Sequence, residues 1–139
     1  MIYEPQEAVA PEALEEDPQG VILIVDDDVD LAFVLGQRLE RIGFAVATEH
    51  GGQAALERAA AEPPNLVLLD LRLPDMDGLD VCRELVDRPE TCGVPVIILS
   101  GTDNTQVVRE CRAAGGEFFV RKPYDPNVLL TLIERVISC

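Results

Sequence analysis

Five short apolar runs, each followed by a segment of helical periodicity, constrain the fold of this chain more than any other feature. The runs span residues 21–25, 44–48, 66–69, 94–99 and 118–120. Near-continuous apolar strands that alternate with helices are typical of parallel sheets whose two faces are both covered. With right-handed crossovers, the pattern predicts one domain with a doubly wound α/β fold of five parallel strands and five helices.

Polar side chains stand where four of these runs end. Asp26 and Asp27 follow the first run, Asp70 the third and Ser100 the fourth, and Lys122 comes shortly after the fifth. Periodicity does not fix the strand order. The order 2-1-3-4-5 would place strand 1 beside strand 3 at the switch point where open α/β sheets bind ligands. Under that order, these side chains are predicted to meet at one edge of the sheet.

Three neighbouring carboxylates require a compensating cation or a raised pKa. Oxygen ligands without a convergent Cys or His indicate Mg²⁺. Asp70 is alone on its strand end and is the candidate nucleophile, because a carboxylate can accept a phosphoryl group. Lys122 would neutralise the phosphoryl oxygens, and Ser100 would donate a hydrogen bond to them. Each side chain alone also suits a helix cap, a turn or a solvated base, so the prediction depends on their joint placement.

Four motifs carry a resemblance to a known family. They are Ile24-Val-Asp-Asp-Asp28, Leu69-Asp-Leu-Arg-Leu-Pro-Asp-Met-Asp-Gly78, Val96-Ile-Ile-Leu-Ser-Gly101 and Val120-Arg-Lys-Pro-Tyr124. Over residues 20–138 the chain resembles a response-regulator receiver domain of two-component signalling, of the chemotaxis-regulator-like type. The resemblance implies a flavodoxin-like fold with the strand order 2-1-3-4-5, and we expect the receiver domain to span residues 20–139.

The resemblance implies a metal site and a phospho-acceptor. Mg²⁺ would be held by Asp26, Asp27, Asp70 and the backbone carbonyl of Arg72. Asp70 would accept a phosphoryl group from a phosphohistidine of a histidine kinase or a histidine phosphotransfer protein. The domain would not be an enzyme in the usual sense, since it would catalyse only its own phosphorylation and dephosphorylation.

The resemblance also implies a phosphate-binding pair and a switch. Ser100 and Lys122 would bind the phosphoryl group, and the peptide bond before Pro123 would be cis. Ser100 would then move towards the phosphate, and the ring of Phe119 would turn into the space left behind. The change would alter the face formed by helix 4, strand 5 and helix 5, where a downstream protein would bind or a homodimer would form on phosphorylation.

Composition narrows the function classes further. A formal net charge of −15 disfavours direct binding to nucleic acid or to anionic membranes, since such binding needs clustered Lys and Arg. No apolar stretch is long enough to span a bilayer and no secretory signal opens the chain, so we expect a cytoplasmic protein. Four cysteines without CxxC spacing favour reduced packing thiols over a disulfide frame or a zinc site.

The N-terminal segment differs in composition from the rest of the chain. Residues 1–20 contain six acids, no base and three prolines. This composition predicts a solvated, disordered tail over residues 1–19. An inert leader and a role in partner contact are both open interpretations of the tail.

Two other classes of protein with a similar sequence pattern compete with a receiver domain. A phosphohydrolase of the haloacid dehalogenase type needs a second aspartate two residues after its nucleophile, where this chain has Arg72. A flavodoxin-like mononucleotide binder needs hydroxyls and glycines in its first loop, which here holds three aspartates. Both interpretations are therefore disfavoured.

Among receivers, three forms fit the sequence. A stand-alone receiver is favoured because the chain ends at Cys139, directly after the fifth predicted helix. A receiver excised from a longer regulator with a separate output domain would have the same sequence over this range. A degenerate docking receiver is disfavoured, because the expected site residues are all present.

Overall fold

The apolar runs form strands in the computed structural model, which describes residues 19–138. These residues contain the strands β1 (Val21–Val25), β2 (Ala45–Glu49), β3 (Leu66–Asp70), β4 (Val96–Ser100) and β5 (Phe118–Arg121). They form a sheet of the order β2-β1-β3-β4-β5, in which every neighbouring pair is parallel. The predicted strand order is therefore confirmed. Residues 1–18 of the predicted tail, and Cys139, lie outside the described residues.

A helix follows each strand in the described part of the chain. The helices are α1 (Val29–Arg41), α2 (Gly52–Ala61), α3 (Gly78–Asp87), α4 (Thr105–Ala113) and α5 (Pro126–Ser138). Asp28, Asp77 and Asn104 each accept a backbone N–H at the start of α1, α3 and α4 respectively. Such caps satisfy N–H groups that have no partner within the helix. Because the helices begin just after the strands end, the caps lie along the same sheet edge.

The start of β4 differs from the sequence prediction. It begins at Val96 rather than two residues earlier, because Pro95 has no N–H to donate to a neighbouring strand. The strand also continues through Ser100, which pairs with Arg121 of β5. The later end of the strand places the Ser100 hydroxyl at the very end of the sheet rather than in the following loop.

Side chains that alternate along the strands form two apolar layers. One layer packs the sheet against α2, α3 and α4, and the other packs it against α1 and α5. In β1, Leu23 and Val25 belong to the first layer, whereas Ile22 and Ile24 belong to the second. Full burial of such a side chain contributes about 1.5–3 kcal/mol. The central strands therefore form a rigid base for the polar residues at their ends.

The cysteines of the described region are all free. Cys82 and Cys111 are buried in the first layer, whereas Cys92 is exposed. Burial raises the pKa of the Cys82 thiol to about 11, so this thiol stays protonated at neutral pH. Cys82 and Cys111 thus occupy the positions that packing thiols take.

Candidate functional site

A cluster of carboxylates lies where β1 and β3 end. The parallel register pairs Val25 with Leu69, so Asp26 and Asp70 leave neighbouring strands side by side. Both are buried, with 3% and 8% of their surface exposed, whereas Asp27 is exposed. One carboxylate oxygen from each of the three aspartates lies within 4.8 Å of the others. The structure thus brings together the three acids that the sequence singled out.

Lys122 reaches this cluster from the end of β5. Its Nζ donates to Asp26 Oδ2 at 3.0 Å and to Asp70 Oδ2 at 3.1 Å. Its backbone N–H donates to the Ser100 carbonyl at 2.7 Å, and its peptide bond to Pro123 is cis. Lys122 therefore bridges two buried carboxylates from different strands.

Backbone N–H groups fix the other oxygen of each buried carboxylate. Asp26 Oδ1 accepts from the N–H of Asp28 at 2.9 Å, and Asp70 Oδ1 accepts from the N–H of Arg72 at 3.1 Å. In both residues the Oδ2 atom is the one that faces Lys122. This arrangement orients the two Oδ2 atoms towards a shared space.

Burial and pairing act in opposite directions on the ionisable groups. Burial raises the pKa of Asp26, while the Asp28 N–H and Lys122 partly offset the increase. Burial alone would lower the pKa of Lys122, but its contacts with Asp26 and Asp70 outweigh burial and the net pKa is raised. The ammonium is therefore charged at neutral pH. Counted by formal charge, the three clustered carboxylates and the one ammonium leave two negative charges, which matches one divalent cation.

Ser100 lies on the strand beside the candidate nucleophile. Asp70 pairs with Leu99 in the parallel register, and Ser100 follows at the end of β4 with 7% of its surface exposed. Its Oγ accepts from the N–H of Thr102 at 3.3 Å, which leaves the hydroxyl proton available to another acceptor. A Cβ added at Gly101 would contact nothing within 4 Å, so the space beside Ser100 is open.

The comparison with known proteins identifies the family. A model of the response regulator receiver domain matches residues 22–134. This chain belongs to that family. MtrA of Mycolicibacterium smegmatis, a DNA-binding response regulator, is 40% identical over 112 residues, which cover 81% of this chain and 48% of that protein.

Two further relatives support the assignment. PhoP of Bacillus subtilis, a transcriptional regulatory protein of alkaline phosphatase synthesis, is 31% identical over 116 residues, covering 84% of this chain and 48% of that protein. The structure of the BeF3-activated receiver domain of DrrB has a TM-score of 0.77 at 31% identity, covering 86% of this chain and 98% of that one. The chain thus spans about half the length of MtrA and of PhoP.

Membership of the family sets the broad role of this receiver domain. Receiver domains of response regulators are signalling modules rather than classical enzymes, they partner with histidine kinases, and they generally bind Mg²⁺. The three clustered aspartates fit that metal, because hard oxygen ligands and a net negative charge suit Mg²⁺. Among residues 19–138, the helices are all too short or too polar to cross a bilayer.

Two residues named from the resemblance lie at the margin of this receiver site. Phe119 pairs with Ile98 in the sheet and is half-buried against the first apolar layer. Arg72 is exposed at the start of the loop between β3 and α3, where it forms an isolated bridge with Asp77. Phe119 therefore lies in β5 between the sheet edge that carries the site and the first apolar layer, whereas the Arg72 side chain faces solvent.

Two residues near the site were missed by the sequence reasoning. His50 is the only histidine in the sequence, and its Nδ1 lies 2.8 Å from the backbone carbonyl of Asp26. Asp75 accepts hydrogen bonds from the start of α2, 22 and 23 residues away along the chain. The position of His50 directly after β2, at the same sheet edge, was the available signal for the first. For Asp75 the signal was the glycine pair at the start of α2, which offers that helix no side-chain cap.

Proposed function

We propose that this receiver domain accepts a phosphoryl group on Asp70 from a phosphohistidine of a histidine kinase or a histidine phosphotransfer protein. The observation that carries the proposal is the bridge from Lys122 Nζ to Asp26 and Asp70 inside a pocket with excess negative charge. In the step, Asp70 Oδ2 forms a bond to phosphorus while the P–N bond to the donor imidazole breaks. The leaving imidazole takes a proton from solvent, and an acyl phosphate remains on the aspartate.

The residues of the chain prepare this transfer mainly by position. The Arg72 N–H holds Asp70 Oδ1, so that Oδ2 points into the pocket. Lys122 would shift one of its hydrogen bonds from a carboxylate to a phosphoryl oxygen, and the Ser100 hydroxyl would donate to another. Mg²⁺, held by Asp26, Asp27, Asp70 and the Arg72 carbonyl, would neutralise the negative charges that meet there. The domain's own dephosphorylation would use the same groups, with water as the attacking nucleophile.

A conformational response would begin at Ser100 and Lys122. The Lys122 N–H donates a hydrogen bond to the Ser100 carbonyl, so a shift of one residue would displace the backbone of the other. We propose that Ser100 moves towards the phosphoryl group and that the half-buried Phe119, which pairs with Ile98 two residues before Ser100, turns inwards. The face formed by α4, β5 and α5 would then bind a downstream protein or a second copy of the chain.

The setting of the domain is also part of the proposal. A cytoplasmic location suits a partner of histidine kinases, and no described helix crosses a membrane. The regulators MtrA and PhoP are each about twice as long as the stretch that matches this chain. MtrA is named as a DNA-binding protein, so the predicted lack of a nucleic acid partner stays a prediction for this chain.

Phosphorylation by a small donor tests the proposal directly. Incubation with acetyl phosphate and MgCl₂ should add one phosphoryl group to the intact mass, and chelation of Mg²⁺ should prevent it. Asp70→Asn should abolish the addition, whereas Asp87→Asn, the same change at an exposed residue at the end of α3, should not. Absence of labelling in the unmodified protein would favour a degenerate docking receiver. Steady turnover of unrelated phosphomonoesters would favour a hydrolase.

A further inference from the structure

Helix α2 is capped by a residue from a different loop. Its N-cap, Gly51, has no side chain to accept a hydrogen bond. Asp75, in the loop between β3 and α3, supplies both acceptors instead: Oδ1 accepts from the N–H of Gly52 at 2.8 Å, and Oδ2 accepts from that of Gln53 at 3.0 Å. These hydrogen bonds lower the pKa of Asp75, so the carboxylate is ionised at neutral pH. Asp75 therefore ties its loop to the start of α2.

The loop that carries Asp75 is closed at its base. The N–H of Gly78 donates to the Leu71 carbonyl at 3.0 Å, and Arg72 forms its bridge with Asp77 just inside this hydrogen bond. The closure is tight, since a Cβ at Gly78 would lie 2.5 Å from the Leu71 Cα. The Arg72 backbone and the tip that carries Asp75 are therefore parts of one short, closed loop.

A packing contact supports the same attachment. A Cβ added at Gly52 would lie 2.3 Å from Met76 Cγ and 2.8 Å from Val81 Cγ2, so Met76 packs directly on the first residue of α2. Met76 is itself half-buried against the first apolar layer. The tip of the loop is thus attached by two hydrogen bonds and by close packing.

We propose that Asp75 is a positioning residue for the Mg²⁺ site. By holding the loop against α2, it sets the place of the Arg72 backbone, whose N–H orients Asp70 at 3.1 Å and whose carbonyl would face the metal. The inference rests on the proposed function, because it assigns Asp75 a part in the same site. Groups that hydrogen-bond directly to metal ligands typically change affinity by about 10- to 100-fold, and Asp75 acts one step further from the metal, so we expect an effect at the lower end of this range.

The experiment measures Mg²⁺ affinity separately from stability. Asp75→Ala is titrated with MgCl₂ by calorimetry, and its urea unfolding is followed in parallel. We expect the dissociation constant for Mg²⁺ to rise about tenfold. Labelling by acetyl phosphate should slow at limiting Mg²⁺ and recover at saturating Mg²⁺, since Asp75 does not touch the reacting atoms.

Two further variants separate positioning from simple helix capping. Gly51→Ser in the Asp75→Ala background gives α2 a cap of its own, and the extended backbone of Gly51 accepts a serine without strain. We expect this double variant to regain stability without regaining Mg²⁺ affinity. Thr91→Val, which removes a buried hydrogen bond to the Leu85 carbonyl far from the site, should lose stability with unchanged Mg²⁺ affinity.

The outcomes distinguish the inference from the proposed function. Asp75 would be only a helix cap if Asp75→Ala bound Mg²⁺ with unchanged affinity. The same conclusion would follow if the double variant regained both its stability and its Mg²⁺ affinity. A wild-type protein that neither binds Mg²⁺ nor accepts phosphate would refute the proposed function and this inference together. If Asp75→Ala does not fold, the double variant with Gly51→Ser takes its place, and an Mg²⁺ affinity equal to wild type in that variant would again overturn the inference.

Discussion

Removal of the Lys122 ammonium tests how the buried carboxylates are held in the absence of metal. In Lys122→Met, the aliphatic part of the side chain is kept while both hydrogen bonds, at 3.0 and 3.1 Å, are lost. Asp26 and Asp70 then face each other as buried charges without their shared partner. The substitution therefore isolates the electrostatic part of the lysine's contribution.

The expected loss of stability follows from these contacts. A hydrogen bond to a charged group contributes about 1.5–3 kcal/mol, and two that share one donor group contribute less than twice that amount. The Lys122 side chain is 21% exposed, so solvent screens it only in part. We expect the free energy of unfolding to fall by about 2–4 kcal/mol without Mg²⁺.

The same substitution should strengthen Mg²⁺ binding. An ion about 2.1 Å from oxygens that lie 3.0 and 3.1 Å from Nζ would be within about 5 Å of the ammonium. A single and a double charge at that separation repel by about 1.7 kcal/mol at the dielectric constant of water, or about 15-fold in affinity. Saturating Mg²⁺ should therefore remove roughly 1.7 kcal/mol of the stability deficit.

Urea unfolding with and without MgCl₂ measures both effects, and calorimetric titration measures the Mg²⁺ affinity directly. Arg121→Met is a matched control, because it removes one positive charge from the adjacent residue, whose ion pair with Asp103 is exposed and 3.7 Å long. This control should change stability by less than about 1 kcal/mol. A deficit in Lys122→Met that is unaffected by Mg²⁺, or weaker Mg²⁺ binding, would refute this account of the pocket.

Three further outcomes follow from individual contacts. Ser100→Ala should slow labelling by acetyl phosphate about tenfold, because one hydrogen bond to the phosphoryl group is lost; an unchanged time course would exclude Ser100 from the transfer. Thr91→Val should lower the free energy of unfolding in urea by about 1–2 kcal/mol, because the buried Leu85 carbonyl loses its 2.6 Å hydrogen bond. The Cys82 thiol has a pKa of about 11 and stays protonated at neutral pH, whereas Cys92 is exposed. Iodoacetamide at neutral pH should therefore modify Cys92 before Cys82, and the masses of the proteolytic peptides measure this order.

The sheet could be predicted from the sequence because its signal is local. Each strand is a short, continuous apolar run, and the burial of the central strands on both faces leaves no competing helical pattern. The strand order could not be obtained in this way, since periodicity says nothing about which strands are neighbours; it came from the resemblance. The predicted start of β4 was wrong because Val94 resembles a strand residue by composition. Pro95, which follows it, accepts a hydrogen bond from Val67 but has no N–H to donate to a neighbouring strand.

The site was partly predictable for a geometric reason. In a parallel sheet, the last residue of each strand and the residue after it lie at the same edge, so the shared location of Asp26, Asp70 and Ser100 follows from strand positions alone. The contacts of Asp75 and His50 do not follow from such positions. Each joins segments that are more than 20 residues apart in sequence, and an acid in a loop or a histidine after a strand has many ordinary roles.

The chemistry of the pocket also explains why residue 122 is a lysine rather than an arginine. Lys122 is the only lysine in the sequence, and apart from the single histidine every other basic side chain is an arginine. A guanidinium is a planar fork that pairs best with a single carboxylate, whereas an ammonium is a compact charge with three donors. Nζ donates to carboxylates of two different strands. In the proposed phosphoryl transfer it would turn one of these hydrogen bonds towards a phosphoryl oxygen, which a compact ammonium can do more readily than a fixed planar fork, even in a chain that otherwise uses arginine.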